Sequence, residues 1–174
     1  MLKIITIYDQ IQSGLGTRDA KMLPLGGKNV PIGPSIMMEP FLKKIDAKVV
    51  ACLYCGTGTY LDNKEEVSKK LCDMVQKLHP DVVICGPAFN YKDYALMCAE
   101  ITEDINNTTD VPALASMSME NDEVIKKHRK KIHIVKCPKK GEVGLNNTLQ
   151  NICLVAKALA LKDDGDINYK ECCF

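Results

Sequence analysis

The sequence predicts an α/β domain of three layers, doubly wound around a mainly parallel five-stranded sheet. Short apolar runs alternate along the chain with amphipathic helical patterns, an order typical of strands joined by helical crossovers. Several runs are apolar almost throughout, as in strands that helices cover on both faces. A length of 174 residues suits one hydrophobic core. We therefore predict one domain over residues 1–162 and a polar C-terminal tail over residues 163–174.

A strand and a long loop are predicted first. The β-rich run Leu2–Tyr8 forms the strand, and the segment Gln10–Pro34, rich in Gly and Pro, forms the loop. Loops of that length in compact domains commonly carry function, so we expect this one to act as a lid or an interface. A weaker helical pattern follows over Ser35–Ile45, and Pro40 either starts or kinks that helix.

The second strand and the helix after it have the clearest patterns. Lys48–Tyr54 is nearly all apolar, which indicates a buried parallel strand. Asp62 or Asn63 is the predicted cap of the helix, which ends before Pro80. Its apolar face follows helical spacing and consists of Val67, Leu71, Val75 and Leu78.

Three more strands alternate with three more helices in the second half. The strands are predicted at Asp81–Cys85, Val111–Ala115 and Ile132–Lys136. The helical patterns cover Asn90–Ile105, Asp122–Lys130 and Leu145–Leu159. Such alternation favours right-handed crossovers between parallel strands, so we predict a flavodoxin-like strand order within the broader Rossmann-like type.

Composition excludes several classes of function. Lys and Arg total 23 against 22 Asp and Glu, a balance that argues against nucleic-acid binding. No apolar run approaches the roughly 18 residues of a membrane span, and no leader pattern is present, so we expect a cytoplasmic protein. The nine cysteines are scattered through apolar segments, which indicates free thiols in a reducing compartment and suits an anaerobe.

Loops at the carboxyl edge of the predicted sheet form the candidate site. In open parallel sheets, ligands bind beyond the carboxyl ends of the strands, where neighbouring loops meet. Four segments meet there: Ser13–Thr17, Cys55–Tyr60, Gly86–Asn90 and Met117–Asn121. We expect the thiol of Cys55 and the amide of Asn90 to face one shared hollow.

Cys55 is the candidate nucleophile. It stands beside Gly56 and before hydroxyl side chains, a setting that can lower the pKa of a thiol, although a small buried filler at a strand end explains it equally well. Cys52 has redox-motif spacing from Cys55, but it lies within the strand, so the two thiols need not face each other. We expect no metal site, because zinc takes four ligands and the histidines stand alone: His79, His128 and His133.

Polar groups near the other strand ends can hold a ligand. Glu120 and Asn121 offer a carboxylate and an amide that suit an ammonium group, or they form a solvated loop. Asn90 either caps the following helix or faces the ligand. Residues Gly14–Thr17 can cradle a flavin or nucleotide phosphate, but they lack the third glycine of a dinucleotide fingerprint.

A specific pattern runs through these segments. Val49–Gly56 ends in Cys-Gly, Asp81–Asn90 ends in Gly-Pro-Ala-Phe-Asn, and Met117, Glu120 and Asn121 follow. In order and spacing they resemble the N-terminal half of the glycine/sarcosine/betaine reductase component B family. Gly14–Gly16 and Pro31–Pro34 are similar to that family's first loop, so the resemblance covers almost all of residues 1–160.

The resemblance implies a reductase that activates a small amine-bearing acid. In the family, a pyruvoyl group captures the amine, a selenolate displaces it at carbon, and component A receives the carboxymethyl group. The selenocysteine lies in a C-terminal half beyond this sequence, and no cysteine here follows a threonine, as a pyruvoyl precursor requires. We therefore expect no cofactor in this chain and a pyruvoyl group on a partner.

We predict Cys55 as the catalytic residue and a set of substrate-binding residues from the same loops: Gly56, Gly86, Phe89, Asn90, Tyr94, Met117, Glu120 and Asn121. The family tends to have an arginine between the positions of Asn90 and Tyr94. Lys92 and Asp93 stand there instead, so a bidentate fork for a substrate carboxylate is missing and Asp93 repels that group.

The first functional hypothesis is a subunit or relative of the reductase complex that binds a small amino-acid-like substrate for reductive removal of its amine. The alternative is a non-catalytic binding or interaction protein that keeps the domain, lacks the selenocysteine half, and works as a homo-oligomer or with other subunits. A flavodoxin-like electron carrier is a third hypothesis. Whether the chain is an enzyme by itself stays open at this point.

Overall fold

A six-stranded sheet forms the centre of the molecule in a computed structural model that describes residues 1–139, 141–165 and 167–174. Lys140 and Asp166, which fall in the predicted domain and tail, lie outside the described residues. The strands are β1 (Leu2–Tyr8), β2 (Gly26–Lys28), β3 (Ala47–Tyr54), β4 (Val82–Ala88), β5 (Ala113–Ser118) and β6 (Ile134–Cys137). Their order is β2-β3-β1-β4-β5-β6, and every neighbouring pair is parallel except β2 with β3.

The predicted count of five strands was wrong because of β2. This short strand lies inside the long loop and pairs antiparallel with the edge of β3, so that Gly26 faces Tyr54 and Lys28 faces Cys52. A Cβ atom on Gly26 would lie 2.6 Å from the Tyr54 hydroxyl, so any larger residue there would have to displace the Tyr54 side chain. Two glycines and a lysine carry no strand pattern, which is why the sequence does not reveal this pairing.

Helices cover both faces of the sheet. They are α1 (Pro34–Lys44), α2 (Thr57–Asp62), α3 (Lys64–Leu78), α4 (Lys92–Thr108), α5 (Asp122–His128), α6 (Leu145–Leu161) and α7 (Tyr169–Cys172). Helices α2 to α5 pack on one face in what we call the first core, and α1, α6 and α7 pack on the other in the second core. Along β1, Ile5 and Ile7 face the first core, whereas Ile4 and Tyr8 face the second. The alternation confirms that β1 is buried on both sides.

Helix α3 matches its prediction most closely, since it runs from Lys64 to Leu78 and buries Val67, Leu71 and Val75. The sequence missed α2 and α7. Two predicted strands were too short at their carboxyl ends, because β4 continues to Ala88 and β5 to Ser118. The predicted cap at Asn90 was wrong: α4 begins at Lys92, and Tyr91 precedes it without a side-chain cap.

The C-terminal tail docks on the edge of the sheet. The backbone N–H of Phe174 donates to the carbonyl of Ile134 at 3.0 Å, and Cys173 forms an isolated antiparallel bridge with Val135. The ammonium of Lys136 donates to the carbonyls of Lys170 and Glu171 at 3.0 and 3.1 Å. The tail therefore covers part of the edge of β6, which otherwise offers unpaired backbone groups.

We predict that Gly86→Ala strongly destabilises the fold. Gly86 has φ 123°, and a Cβ there would lie 2.5 Å from the carbonyl oxygen of Ser116 in the neighbouring strand. We expect the free energy of unfolding, measured by urea titration, to fall by about 3 kcal/mol. Gly14→Ala is the control: its φ is 71° with no heavy atom within 4 Å of a Cβ, so it should lose only about 1 kcal/mol. Equal losses in the two variants would contradict the steric argument.

Candidate functional site

The carboxyl edge of the sheet gathers the loops that follow β1, β3, β4 and β5. The backbone N–H of Gly56 donates to the carbonyl of Leu23 at 2.8 Å, which ties the end of β3 to the long loop. The side-chain amide of Asn121 donates to the carbonyl of Phe89 at 2.6 Å, which ties the loops after β4 and β5 together. Cys55–Tyr60 is thus tied to the long loop, and Gly86–Asn90 to Met117–Asn121, whereas these bonds do not involve the fourth predicted segment, Ser13–Thr17.

Gln10 connects three of these segments. Its side-chain oxygen accepts a hydrogen bond from the backbone N–H of Thr57 at 3.1 Å. Its side-chain amide donates to the carbonyl of Arg18 at 3.2 Å and, more weakly, to the hydroxyl of Tyr91 at 3.4 Å. The hydroxyls of Thr57 and Tyr91 are 2.9 Å apart, and the guanidinium of Arg18 lies 4.9 Å from the Tyr91 ring centroid. We call Gln10, Arg18, Thr57 and Tyr91 the junction network.

Asp9 follows β1 directly, precedes Gln10 of the junction network in the chain, and is fully buried. One carboxylate oxygen accepts from the backbone N–H groups of Ile11 and Gln12 at 3.0 and 2.7 Å. The other oxygen, Oδ2, has no hydrogen-bond partner among the described residues. Burial raises the pKa of the Asp9 carboxyl from 3.8 to about 6, against the lowering effect of those two backbone donors. An unpartnered buried oxygen needs an explanation, such as a bound water, an ion or a ligand group.

The surroundings of Asp9 belong to the first core. Tyr94 donates from its hydroxyl to the carbonyl of Ile7 at 2.9 Å. Burial raises the pKa of Tyr94 and of Cys98, and the negative charge of Asp9 adds to both shifts. No cation is among these neighbours, so the charge of Asp9 is uncompensated on that side.

Cys55 lies at the same edge, but its side chain packs in the first core and is fully buried. The thiol donates to the carbonyl of Gly56 at 3.4 Å. Burial raises the pKa of the Cys55 thiol to about 11, the opposite of the lowering that an activated nucleophile shows. Asn90, in contrast, is exposed on the rim. The thiol of Cys55 thus faces inward while Asn90 faces solvent.

The remaining predicted ligand residues divide into two groups. Four are buried and serve the fold: Gly56, Gly86, Tyr94 and Met117. Four lie on the rim or tie its loops together: Phe89, Asn90, Glu120 and Asn121. Glu120 is exposed and accepts a hydrogen bond from the hydroxyl of Ser118 at 3.2 Å. Within this group Asn90 and Glu120 are exposed and Phe89 is half-buried, whereas Asn121 is buried and ties the loops together.

Surface cavities of about 230 to 700 Å³ occur elsewhere on the molecule, against α6, β6, α3, α4 and α1. None of these five is lined by Asp9 or by the junction network. Within the described residues no group of three or more His, Cys, Asp or Glu side chains is placed to hold a metal ion. The described helices also include none that is long and apolar enough to cross a membrane.

Comparison with known proteins gives the family. The sequence profile of glycine/sarcosine/betaine reductase selenoprotein B matches residues 1–172. The chain belongs to this family. Gly-Pro-Ala-Phe-Asn and the segments around it, which carried the resemblance, thus lie within one continuous match to selenoprotein B.

Individual relatives of the selenoprotein B family are longer than this chain. The glycine reductase complex component B subunit gamma of Carboxydothermus hydrogenoformans is 28% identical over 149 residues, which are 86% of this chain and 33% of that protein. The sarcosine reductase complex component B subunit beta of Peptoclostridium acidaminophilum is 26% identical over 166 residues, 95% of this chain and 37% of that protein. A glycine reductase subunit gamma of Peptoclostridium litorale is 31% identical over 121 residues, 69% of this chain and 27% of that protein. The chain spans about a third of the length of such relatives.

Asp9 and the junction network are functional candidates that the sequence patterns did not predict. A signal for Asp9 was available: Ile5, Ile7 and Asp9 follow the two-residue alternation of β1, which carries Asp9 onto the face of the first core. No comparable signal exists for Gln10, Thr57 and Tyr91, because their contacts join residues 34 to 81 positions apart.

We predict that Asp9 destabilises the folded chain increasingly as the pH rises through its titration range. The unfolded carboxyl loses its proton near pH 4 and the folded one near pH 6. Between these values the folded state binds more protons, so stability falls with rising pH. Asp9→Asn should therefore be more stable than the wild type at pH 7, by about 3 kcal/mol, with the gap closing toward pH 4. Urea unfolding from pH 4 to 8 measures it, with Asp110→Asn, an exposed carboxylate, as control. A stability difference between Asp9→Asn and the wild type that does not change with pH would contradict the raised pKa of Asp9.

Proposed function

We propose that this chain acts as a ligand-binding subunit of a reductase complex of the glycine/sarcosine/betaine type. Membership of the selenoprotein B family supports the proposal, as do relatives named as component B subunits of glycine, sarcosine and betaine reductase complexes. We propose a small amino-acid-like molecule as the ligand. All nine cysteines are free, which supports a reducing setting such as the cytoplasm of an anaerobe.

The unpartnered Oδ2 of Asp9 is the observation that carries the proposal. A buried carboxylate without a partner is costly, and a cation beside it recovers much of that cost. The ammonium of an amino acid supplies both a positive charge and N–H donors. We therefore assign Asp9 to the ammonium group of the ligand.

The carboxylate of the same ligand needs a cation. Two nearby lysines already have acidic partners. Lys92 forms an ion pair with Glu123, and Nζ of Lys21 lies 4.0 Å from Oδ2 of Asp93. Arg18 is exposed, its guanidinium lies over the Tyr91 ring, and its backbone carbonyl accepts a hydrogen bond from Gln10. We assign Arg18 to the ligand carboxylate, in place of the arginine that the family tends to have after the position of Asn90. Binding requires the segment around Arg18 to open, since Asp9 is covered in this structure.

Chemistry beyond binding is proposed to come from partners. The pyruvoyl group implied by the family resemblance would belong to another subunit, because none of the nine cysteines here follows a threonine. The rim residues Phe89, Asn90, Glu120 and Asn121 would then face that partner and orient the bound ligand. The order of the parallel strands, β3-β1-β4-β5-β6, supports the flavodoxin-like classification that we propose for the sheet.

An interaction protein without catalysis is the second candidate. Its support is a set of large apolar side chains that are exposed between residues 11 and 37: Ile11, Leu15, Met22, Val30, Ile36 and Met37. Exposed apolar side chains gathered in one segment favour contact with another protein. In this alternative the chain presents its loop to a second subunit or a second copy and transfers no group.

We predict that Asp9→Asn weakens binding of glycine or sarcosine by about tenfold to a hundredfold, because a charge-assisted hydrogen bond is replaced by a neutral one. Isothermal titration calorimetry with the purified chain measures the affinity. Asp110→Asn, which removes an exposed carboxylate at the amino edge of the sheet, should bind as the wild type does. Wild-type affinity in Asp9→Asn would overturn the site, and absence of binding in the wild type would favour the interaction protein.

The nucleophile role of Cys55 stays a prediction, and its burial gives a clear expectation. With a pKa of about 11, the thiolate is roughly one part in ten thousand at pH 7. We therefore expect Cys55→Ser to keep turnover in the reconstituted reductase complex within about twofold of the wild type. A loss of turnover with unchanged ligand affinity and unchanged thermal stability would instead establish Cys55 in the mechanism.

A further inference from the structure

Two adjacent thiols lie side by side where the tail meets the sheet. Cys172 ends helix α7, and Cys173 continues in an extended conformation. Within a continuous strand, adjacent side chains point to opposite faces. The change from helix to extended backbone instead brings both thiols to the second core, with their Sγ atoms 3.8 Å apart. No other two thiols among the described residues are in contact at hydrogen-bonding distance.

Both thiols border cavities that open to the surface. Cys172 lines a cavity of about 700 Å³ between α6 and the tail, and Cys173 lines a second cavity of about 510 Å³ beside β6. Their residues are 8% and 7% exposed, similar to Cys72 and Cys137 at 7% and 5%, whereas Cys52, Cys55 and Cys85 are fully buried. A small reagent can therefore approach this pair without unfolding the core.

The distance between the two sulfurs indicates whether the pair suits a disulfide or an atom that bridges both sulfurs. Adjacent Cα atoms are about 3.8 Å apart, below the usual separation of about 4.4–6.8 Å across a disulfide. A bond between Cys172 and Cys173 would therefore be strained, with the sulfurs closing to about 2.05 Å. A soft atom bonded to both sulfurs at about 2.3 Å holds them roughly 3–4 Å apart, which is the observed spacing. A bridging atom thus fits the pair better than a disulfide.

A metal ion is the weaker candidate for that atom. A tetrahedral ion takes four ligands, and the described residues contain no group of three His, Cys, Asp or Glu side chains placed to hold one. A monosubstituted trivalent arsenical needs only two thiols, because it brings its third substituent. We propose that Cys172 and Cys173 form a dithiol site that binds trivalent arsenicals through both sulfurs.

The reaction balances without an oxidant. The arsenic–oxygen bond and two S–H bonds break, two arsenic–sulfur bonds form, and the oxygen leaves as water with both protons. Arsenic stays trivalent throughout. Burial raises the pKa of the Cys173 thiol to about 12, so it carries its proton into the reaction. The second arsenic–sulfur bond is intramolecular, which gives the pair a large advantage over any single thiol.

Phenylarsine oxide tests the site. The purified chain is treated with one equivalent in the presence of excess glutathione, which removes the arsenical from single thiols, and the retained adduct is measured by intact mass. We expect one arsenical per chain in the wild type and in Cys153→Ser, a buried thiol of the same core. Cys172→Ser and Cys173→Ser should each retain it about a hundredfold less.

Peptide mapping of the wild-type adduct provides a measurement that does not depend on folding of the variants. Arsenic on the peptide that contains Cys172 and Cys173, released by 2,3-dimercaptopropanol, supports the site. Arsenic on any other cysteine, or equal retention in the Cys172→Ser variant, overturns it. Failure of the wild type to retain the arsenical against glutathione also overturns it.

Discussion

Burial of β1 between two neighbours is the constraint on which the rest of the molecule depends. Because β3 and β4 run parallel to β1 on either side, the chain must leave all three strands at the same edge. The loops that follow these strands therefore lie close together. The Gln10 side chain joins them by hydrogen bonds to the backbone N–H of Thr57 and the hydroxyl of Tyr91. Oδ2 of Asp9 is one of the buried polar atoms left without a partner among the described residues, together with the hydroxyls of Thr6 and Tyr8 on β1. The meeting of the loops is thus a consequence of strand direction.

The burial of Asp9 lowers the stability of the folded chain at neutral pH. Two backbone donors hold one oxygen of its carboxylate, yet burial still raises its pKa to about 6. A folded domain has only about 5–15 kcal/mol of stability in total, so an uncompensated carboxylate is a substantial fraction of it. Such a cost is tolerated in proteins mainly where a ligand or a partner relieves it. The neighbours Tyr94 and Cys98 do not relieve it, since they are neutral.

Local patterns predicted the elements that are buried in a regular way. Helix α3 was predicted to within a residue or two because its apolar residues repeat at helical spacing, and β1 because its run is β-rich. Edge strand β2 and helix α2 were not predicted, because Gly26, Gly27 and Gly58 add nothing to a periodic apolar pattern. At the carboxyl edge, strand direction predicted that loops from neighbouring strands meet, as the hydrogen bonds of Gln10 and Asn121 show. Which side chains turn inward was decided by tertiary contacts, as Cys55 and Tyr94 show.

Two cysteine arrangements show how far spacing can mislead. Cys52 and Cys55 have redox-motif spacing, but they pack in different cores on opposite faces of the sheet, so no reagent or bond can join them. Cys172 and Cys173 are adjacent in sequence, so in a strand their thiols would point to opposite faces. Here the end of a helix brings the two thiols into contact. Backbone conformation between two cysteines, more than their separation in sequence, therefore decides whether they act as a pair. The contact between Cys172 and Cys173 lies on the tail, outside the loops that follow β1, β3, β4 and β5.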